Sequence, residues 1–117
     1  MSMPDHKPLR PIEFQILLVL ADGAAHGYAI MLETERRTGG ATRVEPGTLY
    51  RALRRLTDNG LIGEAGQRPG SDGDDERRRY FALTDRGRAV AVAEARRLAR
   101  LVAEARASRL LQQGDKP

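Results

Sequence analysis

Cysteine and tryptophan are both missing from the 117 residues, histidine is reduced to two and phenylalanine and tyrosine together to five. Without cysteine the chain has no disulfide framework, no thiol nucleophile and no thiolate metal site, so zinc fingers are excluded and a reducing compartment is suited. No run approaches the roughly 18 consecutive apolar residues of a membrane span, and the opening MSMPDHKPLRP lacks the apolar stretch of a secretory signal. A soluble, cytoplasmic protein is expected. Serine occurs only at Ser2, Ser71 and Ser108; with two of these expected in a loose end or a loop tip, no nucleophile and base can be paired, and an enzyme is not expected. Asp72, Asp74 and Glu76 have the alternation of a calcium loop, but Arg77 stands where glycine is needed and no distal glutamate follows. Neither a metal nor a cofactor is expected.

What is present suits one small globular domain: 40% of residues are hydrophobic and 31% charged, enough apolar surface for a core in the middle of the chain. Twenty basic residues oppose sixteen acidic ones, and all but Lys7 and Lys116 of the basic ones are arginine. Arginine presents a planar fork of donors that matches phosphates and base edges. A net charge of +4 admits a polyanionic partner without requiring one.

Residues 1–8 read as a flexible arm. From Pro11 to about Asp22 the run IEFQILLVLA is apolar on most sides, as expected of a short buried helix. A second helix is expected from about Gly27 to Thr38, with Tyr28, Met31, Leu32 and the stem of Glu35 on its inner face and Gly39-Gly40 ending it. Tyr28 is expected in the core first and at a phosphate second. His26 is expected to start this helix rather than bind a ligand. Thr42-Arg43-Val44 suits a stub of strand, and Pro46-Gly47 opens a third helix. There Leu49, Leu53 and Leu56 share a narrow arc, leaving Thr48, Arg51, Arg54, Arg55 and Asp58 on the opposite side. Residues 61–65 and 79–83 read as the strands of a long hairpin.

Thr84-Asp85 signals the start of a last helix, and neither Gly nor Pro interrupts the chain between Gly87 and Gly114. A helix of about 28 residues is ~40 Å long, whereas a globule of this size has a radius of gyration of only about 13 Å. The helix must project. Ala91, Ala95, Leu98, Leu101, Val102 and Ala105 form an apolar stripe along it, and the economical cover is a second copy of the chain. Its seven arginines exceed its three acids by the whole chain's net charge, a solvated face in the simplest reading.

Three helices followed by a hairpin is the order of a winged helix-turn-helix domain, whose third helix enters the DNA major groove. The segments HGYAI (26–30), TGG (38–40), EPGTLYRALRRLTDNGLI (45–62) and RRRYFALTDRGR (77–88) together resemble the PadR family of bacterial transcription regulators over about residues 9–90. The expected architecture is mainly α with a small β-hairpin: an arm (1–8), a winged helix-turn-helix domain (9–84), one long C-terminal dimerisation helix (85–113) and a tail (114–117). The resemblance implies a homodimeric repressor of a pseudo-palindromic operator in double-stranded DNA, released by a small-molecule effector of unspecified identity. Candidate DNA contacts are Thr48, Tyr50, Arg51, Arg54, Arg55, Arg77, Arg78 and Arg79. Tyr50, at the border of the apolar arc, can either pack only or also offer its hydroxyl to a phosphate. Many members carry proline where this chain has Arg51, so that position either adds a donor or points to solvent. The wing is unusual: Glu64, Asp72, Asp74, Asp75 and Glu76 oppose the single Arg68, a balance that repels phosphate and is expected to keep the wing tip off the DNA backbone. The rival to a DNA-binding regulator is a winged-helix module serving only protein interaction or dimerisation.

Overall fold

The computed structural model describes residues 8–40, 43–67 and 79–112. Among the described residues four helices and three short strands follow one another as α1 (Pro11–Ala21), β1 (Ala25–His26), α2 (Gly27–Arg37), α3 (Pro46–Asp58), β2 (Ile62–Gln67), β3 (Arg79–Leu83) and α4 (Asp85–Ala107). This is the winged helix-turn-helix order with a C-terminal helix. α1 is the central element, touching α2, α3, α4 and β3. Its Ile16, Leu17, Val19 and Leu20 are buried together with Ile30, Leu49, Leu53, Leu56, Leu61, Ile62, Phe81 and Val90. Such an all-round apolar helix forms because it has neighbours on most sides.

β3 is the middle strand of an antiparallel sheet of order β1-β3-β2. Ala25 pairs with Phe81 and His26 with Tyr80, while Ile62 pairs with Leu83 and the register shifts between Glu64 and Gln67. The expected hairpin is therefore one strand richer. The two-residue β1 is too short to show an alternation, and its last residue already serves α2: His26 Nδ1 accepts from the Ala29 N–H at 3.2 Å, as an N-cap, and its ring meets that of Tyr80 edge to face at 5.7 Å. By contrast, no strand forms at Arg43-Val44. The Val44 N–H is satisfied by Glu35 Oε1 at 3.1 Å, so it has no need of a strand partner. Thr42 lies outside the described residues.

α2 turns a different face inward from the one its hydropathy suggests. Gly27, Ile30 and Thr34 are buried, whereas Tyr28 and Leu32 are 44% and 47% exposed. This overturns the core assignment of Tyr28. The packed face carries a glycine and a threonine, small residues that allow close approach but contribute little to an apolar signal. Among the described residues the Thr34 hydroxyl finds no hydrogen-bond partner although its side chain is buried. Thr34→Val keeps the shape and removes that desolvated group, so it is expected to stabilise the fold by about 1 kcal/mol, read as a raised denaturation midpoint.

On the solvent side of α2, Arg36 and Arg37 both bind Glu33, with Nε–Oε distances of 2.9 and 2.8 Å, and Arg37 also reaches Asp22 at 2.7 Å. The hydrogen bonds from Arg36 and Arg37 hold the Glu33 carboxyl down at about 2. A depressed carboxylate stabilises the fold above its ordinary value near 4.5 and loses that contribution as pH falls toward 2. Thermal unfolding followed between pH 4.5 and 2 should therefore show a shallower loss for Glu33→Gln than for the parent chain.

The last helix is shorter than expected, 23 residues instead of about 28. It ends in a Schellman turn: Arg109 takes a left-handed conformation (φ 64°), its N–H donates to the Arg106 carbonyl at 3.0 Å and the Leu110 N–H to the Ala105 carbonyl at 2.9 Å. Glycine usually marks such a turn; here arginine occupies it, and residue type gives no warning. The expected projection is present nonetheless. The molecule measures 53 × 35 × 21 Å with a radius of gyration of 15.8 Å, and no residue of α4 beyond Glu94 is buried.

Candidate nucleic-acid interface

α3 is amphipathic in the strict sense that its two faces have different fates. Leu49, Ala52, Leu53 and Leu56 are at most 2% exposed, while Thr48, Arg51 and Arg54 stand in solvent. Arg51 lies along the first turn, its Nη2 3.4 Å from Thr48 Oγ1 and its Nη1 close over Gly47. Pro46 at the first helical position supplies a fixed φ and removes one N–H that would lack a partner. Glu45, the N-cap, makes no side-chain capping hydrogen bond, so the remaining first-turn N–H groups carry the positive end of the helix dipole to the surface beside Thr48 and Arg51. Tyr50 is half-buried and packs on the core, in keeping with its place at the border of the apolar arc.

The other candidates are placed differently. Arg55 lies between Thr48 and Arg51 around α3, but its side chain is half-buried and turned toward α1, where Nε donates to Glu13 Oε2 at 3.0 Å. Glu13 is buried on α1, and its second oxygen accepts from the Arg10 N–H at 2.7 Å, closing the first turn of α1. This partner lies 42 residues away, beyond the reach of helical spacing. Arg79 faces Glu64 across the hairpin at 3.4 Å. Together with Tyr50, Arg54, Thr57 and Phe81 the pair lines a groove of about 340 Å³ between α3 and the sheet. Arg77 and Arg78 lie outside the described residues, as do Arg68, Asp72, Asp74, Asp75 and Glu76 of the acidic wing tip.

α3 and α4 are locked end to end. Gly60, with φ 76°, reverses the chain after α3 and lets the Leu61 N–H return to the Leu56 carbonyl at 2.9 Å. The carbonyls that emerge from this turn accept from the start of α4: Thr84 Oγ1 donates to Gly60 O at 2.6 Å, the Thr84 N–H to Leu61 O at 3.1 Å and Arg86 Nε to Asn59 O at 3.2 Å. Thr84 Oγ1 also caps α4 by accepting from the Gly87 N–H at 2.9 Å. Gly87 lies so near that a β-carbon built on it overlaps the Leu61 carbonyl oxygen and sits 3.0 Å from Leu83 Cδ1. The negative end of one helix thus meets the positive end of the next, and the direction of α4 is tied to that of α3.

Along α4 the six stripe residues are unevenly covered. Ala91 packs against the core, Leu98, Val102 and Ala105 are half-buried, Ala95 is exposed and Leu101 is 46% exposed. Glu94, buried between them, is held by Arg97 through two hydrogen bonds of 2.7 and 2.8 Å.

Comparison with known proteins agrees with this arrangement. The chain is 42% identical over 86 residues to an uncharacterised 37.1 kDa protein of a Streptomyces fradiae transposon, matching 74% of this chain but spanning only 22% of that protein's length. A PadR family transcription regulator from hypervirulent Clostridium difficile superposes with a TM-score of 0.66 at 25% identity, covering 86% of this chain and 98% of the other. Bacillus subtilis PadR in complex with operator DNA shares the fold with a TM-score of 0.54 at 23% identity, covering 94% and 52% of the two chains. The profile of the transcriptional regulator PadR-like family matches residues 16–93, from the buried half of α1 through the lock between α3 and α4, and the chain belongs to that family.

Proposed function

We propose that the chain is a sequence-specific DNA-binding transcriptional regulator that works in the cytoplasm as a homodimer on a pseudo-palindromic operator. The observation that carries this reading is the outer face of α3: Thr48, Arg51 and Arg54 exposed on a helix whose opposite face is fully packed. Each copy lays this helix in a major groove, with its N-terminal turn toward a phosphate and Arg51 and Arg54 toward base edges or the backbone. Tyr50 and Arg79 border the same surface. Arg55, paired with Glu13, serves the seating of α3 on α1 more than direct contact. The operator complex of the Bacillus subtilis relative supports DNA as the partner.

Two copies joined along the Ala91–Ala105 stripe place their α3 helices about one helical turn apart, ~34 Å, or a small multiple of it. Repression follows from occupying a promoter, and release from any ligand that favours a different spacing of the two α3 helices. No described helix is long and apolar enough to cross a membrane.

The test is fluorescence anisotropy with duplexes from the promoter of the protein's own transcription unit, over about 50 to 200 mM salt. Steep salt dependence with a sequence-specific complex outlasting random DNA is expected. Arg51→Ala should cost about 1–3 kcal/mol and relax preference at one base pair. A uniform loss across sequences marks Arg51 as a phosphate contact. Absence of binding to any duplex at low salt overturns the DNA reading in favour of a protein-interaction module.

A further inference from the structure

The sheet turns one face toward α3, and register puts three side chains on that face. Glu64 on β2 stands opposite Phe81 on β3, and Arg79 lies two positions before Phe81 on the same strand. Phe81 is buried in the core. Glu64 and Arg79 are left as diagonal neighbours beside it, with Arg79 Nε 3.4 Å from Glu64 Oε1. Both side chains still meet water, Arg79 with 37% and Glu64 with 54% of its surface. The groove that they line against α3 also holds exposed Arg54 and, one turn on, exposed Asp58. Two arginines thus face two carboxylates, and this flank of α3 carries no net charge.

We propose that Glu64 is a brake on DNA binding: from the base of the wing it engages Arg79 and sets a negative charge against the phosphates that pass over the groove between α3 and the sheet. The inference rests on the proposed regulator function. A helix in a major groove has a phosphate backbone along each flank, and the backbone on the sheet side runs over Arg54 and Arg79. Glu64 acts on that contact twice. Its carboxylate competes with phosphate for the Arg79 guanidinium, and it repels the phosphate directly. An ion pair as exposed as this one adds little to the fold, so its larger consequence is for the polyanion. Phosphate contacts carry no sequence information; Glu64 therefore loosens the hold on every duplex alike, and random sites, bound weakest, are the first to be vacated.

The experiment measures anisotropy of the full chain with a short duplex of random sequence and with duplexes from the protein's own promoter. Glu64→Gln should tighten both at least threefold at about 50 mM salt and steepen the dependence on salt by about one phosphate contact. Glu64→Asp keeps the charge and should bind as the parent does. Asp22→Asn removes the same charge from an exposed residue outside the groove and should change affinity less than twofold. Arg79→Ala should weaken the parent less than twofold but the Glu64→Gln variant at least threefold, because only there is the guanidinium given over to phosphate. Circular dichroism and melting of Glu64→Gln should match the parent. An affinity that Glu64→Gln leaves unchanged or lowers, an Asp22→Asn variant that tightens binding equally, or an Arg79→Ala loss that is the same in both backgrounds each overturns the brake while the regulator reading stands. If the parent and all variants bind neither duplex, the regulator reading falls and the brake falls with it.

Discussion

A Gly87→Ala variant will melt roughly 10–20 °C below the parent chain, a loss of about 3 kcal/mol. The sign is the informative part. Alanine replacing glycine inside a helix ordinarily gains about 0.5–1 kcal/mol, and Gly87 is in the first turn of α4 with no left-handed backbone to protect. Here the added methyl collides with backbone, not with a side-chain end: the Leu61 carbonyl oxygen cannot swing aside without breaking its hydrogen bond from the Thr84 N–H. Either the variant unfolds early, or α4 lifts from α3 and carries the Thr84–Gly60 bond with it. Gly63→Ala is the control, since a β-carbon there meets nothing within 4 Å among the described residues. Scanning calorimetry of the two variants decides: equal melting temperatures would mean that the contact between α3 and α4 is not the tight joint described. If α4 lifts without global unfolding, operator affinity should fall further than stability does, because the spacing of the proposed dimer depends on this joint.

If two copies join along the α4 stripe as proposed, Leu101→Glu will abolish that dimer and weaken operator binding by about two orders of magnitude. Val90, Glu94 and Leu101 fall within about 40° of one another around α4 at 100° per residue. The first two are buried by the domain, yet Leu101, farther along the same side, is 46% exposed. The face that α1 covers at the start of α4 runs on uncovered. A glutamate at Leu101 costs the single chain little, because half of that side chain already meets water, whereas in a dimer seam it buries an unpaired carboxylate. Light scattering should report the mass of one chain, and thermal unfolding at low concentration should be nearly unchanged. A variant that keeps its dimeric mass removes Leu101 from the seam and moves the proposed interface elsewhere on the molecule. In the proposed dimer two copies hold adjacent grooves, so its loss would leave each α3 to bind alone without the avidity of two linked sites.

How far the chain's letters reach can be judged residue by residue. The limits of α1, α3 and β3 are legible because each rests on rules that operate within a few positions: the apolar run Ile16–Leu20, the proline that opens α3, the leucines at Leu49, Leu53 and Leu56, and the threonine cap at Thr84. The inward face of α2 is not legible, because the residues that pack there, Gly27 and Thr34, are chosen for small size and not for hydrophobicity. Nor is the end of α4, where an arginine adopts a backbone conformation that residue type does not announce.

Composition and periodicity were thus enough to place three helices, a hairpin, an arginine-bearing third helix and a protruding last helix, since hydrophobic spacing and helix caps are local in origin, and the motifs that resemble the PadR family made of that order a winged domain. The rotation of Arg55 onto Glu13, the pairing of Arg79 with Glu64 and the contact of Gly87 with the Leu61 carbonyl needed the folded chain. Each joins residues 15 or more positions apart, and at that separation the choice of partner belongs to the packing of whole elements, whose angles no local rule prescribes.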